Sequence, residues 1–215
     1  MAAITDYSTL KTAIGSWMFD RSDLTTVYDD FIDNFEARIN YGTDEDGPFP
    51  SKPLRVSAMV TSSDVTLTSG AGSMPANFLE VIRVTAKTDP RRKLEYAPPD
   101  WLDEAYPTTD SGDPSFYTIL GSSLIVRPVT TSSVEVQFYR TVPALSDSNT
   151  TNWLLTASPN AYLYGSLFEA SLFIGDGSRA QQMYGMMMGA VGGLIRTDKR
   201  ALSGTPARRA SAPAW

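Results

Sequence analysis

Residues 139–176, YRTVPALSDSNTTNWLLTASPNAYLYGSLFEASLFIGD, lead from a β-rich middle through a polar loop, past Trp153-Leu154-Leu155, into an amphipathic helix. The helix entrance is marked by Ser158 as N-cap and by Pro159 at the first helical position, where a missing N–H leaves no bond unmade. Leu163, Leu167, Ala170 and Ile174 follow at spacings of three and four, flanked by Tyr164, Phe168 and Leu172. The chain returns here to helix after a long stretch of β character.

Outward from that point, helices stand at both ends. The first is expected over Tyr7 to Met18. The second starts near Asp23 as N-cap, carries Leu24, Val27, Tyr28, Phe31, Ile32, Phe35 and Ile39 at helical spacing, and stops before Gly42. Its other face reads as acidic through Asp29, Asp30, Asp33 and Glu36. TDEDGPFPSKP, residues 43–53, has linker composition. Strands are expected over Leu54–Thr61, Val65–Thr68, Phe78–Ala86 and Lys93–Tyr96, a hairpin over Phe116–Leu120 and Ser123–Arg127, and a half-buried strand over Val134–Val142. Pro98 to Ala105 reads as a short helix, and a last helix spans Gly177 to Leu202. In that helix Gly185, Gly189, Gly192 and Gly193 are expected to let a neighbouring helix approach closely while the methionines fill the core. The fold class is α+β: a bundle of N- and C-terminal helix pairs with an inserted antiparallel β domain. The expected divisions are 1–46 and 151–202 for the bundle, 47–150 for the insert, and 203–215 for a basic tail.

Composition restricts the chemistry. The 215 residues include no Cys and no His, which excludes disulfides, thiolate metal sites and imidazole acid–base work. The remaining candidates are carboxylates, among them Asp44-Glu45-Asp46, Asp100, Asp103 and Glu104, in acidic loops that nothing gathers into a cleft. The expectation is no enzyme, no metal and no cofactor. Met183 to Ile195, the most apolar run, is far short of the roughly twenty residues that cross a bilayer. With no leader pattern at the start, a soluble protein made in the cytoplasm is expected.

Net charge is −6 and unevenly placed. Residues 1–46 hold ten acids against three bases, whereas residues 196–215 hold five bases against Asp198 alone. An acidic body with a basic tail fits a tail that finds a partner, or a solvated face and a frayed end. Arg91-Arg92-Lys93 is a second, small basic cluster, a poor footprint for a duplex binder.

Four motifs in order carry a likeness. They are Met74-Pro75-Ala76-Asn77-Phe78-Leu79-Glu80-Val81; the hairpin YTILGSSLIVRP from Tyr117 to Pro128; Tyr139 with Pro143 and Leu145; and Asn152-Trp153-Leu154 followed by the helix Tyr162 to Ala170. Together they resemble the head-to-tail adaptor (connector) proteins of tailed phages, most nearly those of short-tailed phages of the tail tubular protein A type. Departures are Met74, where the family has Leu, and the glycine-rich last helix.

The resemblance implies a structural virion neck protein. Its copies would form a homo-oligomeric ring, typically a dodecamer, joining portal protein to tail tube or nozzle protein. Genomic DNA would pass through the lumen without sequence-specific binding, and no membrane is involved. It also implies a C-terminal extension docked on the portal, here Arg196, Lys199, Arg200, Arg208, Arg209 and Trp215. The rival readings are a β-rich receptor- or sugar-binding tail module, which would not need helix pairs at both ends, and a carboxylate-based wall-degrading enzyme.

Overall fold

The computed structural model describes residues 3–108 and 110–203. The chain forms two compact units: residues 59–141, and the segments on either side of them in sequence. The fold class is α+β, as the sequence leads one to expect.

The helical unit takes both ends of the chain. Helix α1 (Tyr7–Trp17) starts at Asp6, whose carboxylate accepts from Thr9 N at 2.8 Å while Thr9 Oγ1 accepts from Asp6 N at 3.0 Å. This reciprocal pairing satisfies two otherwise orphaned donors. Residues Ser22–Val27 form a 3-10 turn, and α2 begins only at Tyr28 and ends at Tyr41. The expected start near Asp23 is therefore a tighter turn, whose side chain binds Arg21 rather than capping the helix. Helix α2 stops at Gly42, whose φ of 75° is the left-handed conformation glycine tolerates.

The decisive stretch gives two helices. Asn152 caps the short α3 here (Trp153–Ala157), accepting from Leu155 N at 2.8 Å. Pro159 then opens α4 (Pro159–Phe173) as expected, although Ser158 makes no side-chain cap bond. The long α5 runs Gly177–Ser203. With the short helix of the other unit left unnumbered, the bundle is α1, α2, α4 and α5, around a core that includes Leu10, Ile14, Ile32, Phe35, Tyr162, Leu167, Phe168, Met183 and Met187. Helix α2 approaches α4 tightly where Gly165 lies against the Phe35 ring.

The glycines of α5 do something different from expectation. A Cβ at Gly185 or Gly189 would meet nothing within 4 Å, and at Gly192 or Gly193 only the Arg196 side chain. Met183 and Met187 are core residues, while Met186 and Met188 are exposed. Close packing by these glycines is thus overturned within the chain: they lie on an uncovered helix face. Since an exposed interior glycine weakens a helix, Gly189→Ala is expected to raise the unfolding free energy of the isolated chain by about 1 kcal/mol. Urea titration followed by circular dichroism measures this.

The β unit packs two four-stranded sheets about one core. The first has the order β1 (Val60–Val65), β8 (Val134–Arg140), β3 (Phe78–Ala86), β4 (Arg92–Lys93). The second has the order β2 (Ala71–Ser73), β7 (Ser123–Arg127), β6 (Phe116–Leu120), β5 (Glu95–Tyr96). All pairs are antiparallel except β5 on β6. Val134, Val136 and Phe138 alternate inward from β8 and meet Val84, Leu124 and Val126 in the core. The expected hairpin turns at Gly121.

Three sequence expectations change here. Residues 54–56 are not strand and Ser57–Met59 form a 3-10 turn, so only Val60 onward pairs. The strand expected over Val65–Thr68 is mainly the end of β1 plus a bridge from Thr68 to Ala71. Lys93–Tyr96 is not one strand. The chain leaves one sheet at Lys93 and joins the other at Glu95, with buried Leu94 between them. Pro99–Ala105 is the short helix, as read.

Candidate functional site

Three surfaces of the helical unit expose apolar side chains. The first is a groove of about 720 Å³ between α2 and the last turn of α4. Leu172 and Phe173 line it, with Phe173 64% exposed and its ring tilted on Phe31 at 5.5 Å. Asp30 and Asp33 lie along its α2 side. Burial, then the neighbouring Asp29 and Asp30, push the Asp33 carboxyl above the usual range. Lys11 pairs with Asp29 at 3.1 Å, whereas Asp30 and Asp33 have no ion pair among the described residues. Glu169 at the floor is already held by Arg38 Nε at 2.8 Å, with both side chains largely buried.

The second surface runs along α5. Met187, Met188, Val191 and Ile195 face Ile39 and Pro53 across an apolar groove of about 580 Å³. Tyr184 also lines it, donating to Pro50 O with its ring tilted against those of Phe49 and Phe168. The third is a projecting ring. Phe19 and Asp20 both have left-handed backbone, φ 58° and 51°, a costly conformation for bulky residues, and Phe19 is 82% exposed. The Arg179 guanidinium lies over the Phe19 ring at 5.5 Å.

Of the residues expected to dock on the portal, Arg196, Lys199 and Arg200 lie exposed on the last turns of α5. They make no ion pair among the described residues. Arg208, Arg209 and Trp215 lie outside the described residues. Between Lys199 and Arg196, Asp198 turns inward and accepts from Ser57 N and Oγ.

The carboxylate candidates do not converge. Asp44 accepts from Asp46 N, Glu45 pairs with Lys52 at 3.5 Å, and Asp100, Asp103 and Glu104 sit on the short helix Pro99–Ala105. Among the described residues no group of three or more acids is placed to hold a metal ion. In the basic cluster, Arg91 is paired with Glu135 at 2.6 Å, while Arg92 and Lys93 are exposed on β4.

One polar centre was missed by sequence reading. Glu36, read as part of the acidic outer face, is buried. Its Oε1 accepts from Leu145 N at 3.0 Å and from the Tyr162 hydroxyl at 2.8 Å. Asn152 Nδ2 donates to that hydroxyl and to Pro143 O, while Asn40 Oδ1 accepts from Val142 N at 2.9 Å. Burial raises the Glu36 carboxyl to about 7 against the pull of the two donors. The signal was present in the spacing: Glu36 stands four residues after Ile32 and three before Ile39, on the apolar face. Its partners hold residues 142–152 onto α2 and α4, a structural task.

The helical unit thus presents open, partly apolar grooves and a buried polar centre around Glu36. The family model of the SU10 adaptor protein matches residues 5–210, and the chain belongs to that family. It is a phage adaptor, a class of structural proteins associated with portal and tail components. No curated protein matches the chain.

Proposed function

We propose that this chain is a ring-forming head-to-tail adaptor of the virion neck, of the short-tailed type that its motifs resemble. Its ring joins the portal to the tail tube or nozzle and lines part of the DNA channel. The observation that carries the reading is the uncovered face of α5. Gly185 and Gly189 open onto free space, Met186 and Met188 are exposed, and an apolar groove runs beside them. Apolar surface of this kind on one chain is what a neighbouring copy covers, and a contact between two different faces closes into a ring when its rotation fits. The net charge of −6 supports a channel role, because an acidic wall keeps a polyanion mobile instead of gripping it. The protein acts without catalysis: it is made in the host cytoplasm and ends in the virion.

Arg196, Lys199 and Arg200 are the portal-docking residues in this reading, as exposed cations without an ion pair among the described residues, suited to acidic portal groups. Mixing the purified protein with portal and imaging the particles is the test. A ring sharing the portal's rotational axis is expected, and isolated copies scattered on the portal would overturn the proposal. Changing the three cations to Gln is expected to weaken portal attachment about tenfold at physiological salt, since exposed pairs contribute about 1 kcal/mol or less each. Unchanged attachment would remove them from the docking surface. In the β unit, Tyr96 and Trp101 are exposed rings of the kind a sugar-binding module uses, with Trp101 edge-on to Phe116 at 5.0 Å. Saturable glycan binding lost on Trp101→Ala would favour that second reading.

A further inference from the structure

We propose that the groove between α2 and the end of α4 receives the segment around Arg208 and Arg209 of a second copy of this chain. The inference rests on the ring reading and gives the ring one of its contacts.

Charge complementarity is the first argument. The groove presents two carboxylates, Asp30 and Asp33, that make no ion pair among the described residues and lie within residues 1–46, where acids outnumber bases ten to three. The same chain carries its complement in SGTPARRASAPAW, where Arg208 and Arg209 are followed six residues later by Trp215. Two guanidiniums on the Asp rim and an indole against Leu172 and Phe173 match the groove in charge and in apolar character. Glu169 adds no free charge because Arg38 holds it.

Reach decides between the chain's own segment and a neighbour's. Helix α5 has 27 residues, so Ser203 lies about 40 Å along the axis from Gly177. The groove is at the Gly177 end, since Phe173 and Gly177 flank the short turn joining α4 to α5. The far end of α5 packs beside Trp153 and Ala157, just before α4 begins, so the two helices run antiparallel. Arg209 is six residues past Ser203, a span of at most about 20 Å even fully extended. Arg208 and Arg209 therefore fall well short of the groove on their own chain. In a head-to-tail arrangement the next copy's groove comes within reach. Portal docking then falls to Arg196, Lys199 and Arg200, and the later arginines tie neighbouring copies together.

Because the chain has no Cys, introduced pairs report contact cleanly. Asn34→Cys places a thiol at the groove and Ala210→Cys places one beside Arg209. Mixing the two single variants under mild oxidation is expected to give a covalent dimer on a non-reducing gel, and the double variant a ladder. Adding Asp30→Asn with Asp33→Asn, or Arg208→Gln with Arg209→Gln, should cut dimer yield about fivefold. Exchanging the charges on both sides in one chain, Asp30→Arg and Asp33→Arg with Arg208→Asp and Arg209→Asp, should restore it. No dimer above the yield of a control pair with Cys on the β unit, or a cross-link within one chain, overturns the inference. Mass measurement of the particles separates it from the ring reading: rings without this cross-link defeat the groove contact alone, and cross-linked dimers that never close with portal present defeat the ring alone.

Discussion

Gly165→Ala is expected to lower the unfolding free energy by about 3 kcal/mol or more, from a single added methyl. An ideal Cβ at Gly165 lies 2.0 Å from Phe35 Cδ2, 2.4 Å from Cε2 and 2.6 Å from Cγ. The ring has nowhere to go. Phe35 is fully buried and stands edge-on to Tyr162 at 5.1 Å, whose hydroxyl is fixed in turn by Glu36 and Asn152. Relief requires α2 and α4 to separate, which loosens the core along both helices. Urea unfolding followed by circular dichroism measures the loss. Combining Gly165→Ala with Phe35→Leu should recover part of it, because the smaller side chain frees the volume the methyl needs. A stability within about 0.5 kcal/mol of the parent would show that the helices do not depend on this approach.

Gly165 also shows where sequence reading stops. The helix from Pro159 was legible through the proline at its first position, although it is buried nearly all round where one apolar face was expected. The N-terminal helices, the Phe116–Arg127 hairpin and the inward alternation of β8 were legible too. Those features depend on local chemistry, so the sequence states them directly. Which glycine makes a close approach is set by the partner helix. Gly165, a single glycine in an apolar run, is the tight one, and the conspicuous group in α5 is not. The division at Leu94 was hidden for a similar reason, because four residues of strand character belong to two sheets and only tertiary pairing separates them. Of the candidate surface, Arg196, Lys199 and Arg200 were legible as a basic run on a helix end. The groove at Phe173 was not, since it forms from residues about 140 apart in sequence.

Glu36 supplies the second large effect, and its sign is opposite to that of a paired surface carboxylate. Its carboxyl rises from an ordinary 4.5 to about 7 in the folded chain, mainly because burial disfavours the charge. Between those values the folded state holds a proton that the unfolded state has released. Its contribution to stability is therefore complete below about pH 4.5 and is lost as pH rises through about 7. At 1.36 kcal/mol per unit the loss is about 3 kcal/mol. Asp6, Asp23 and Asp176, whose carboxyls are lowered by hydrogen bonds, act in the other direction and only in more acidic solution. Glu36→Gln keeps an oxygen to accept from Leu145 N and the Tyr162 hydroxyl but cannot ionise. Relative to the parent, the variant should gain about 3 kcal/mol between pH 4.5 and pH 8 in urea titrations at matched ionic strength. Parallel curves for the two proteins across that window would mean that the buried carboxyl does not titrate there. A gain confined to pH above 5 would place the ionisation at Glu36, where it weakens the hold of residues 142–152 on α2 and α4 as the solution approaches neutrality.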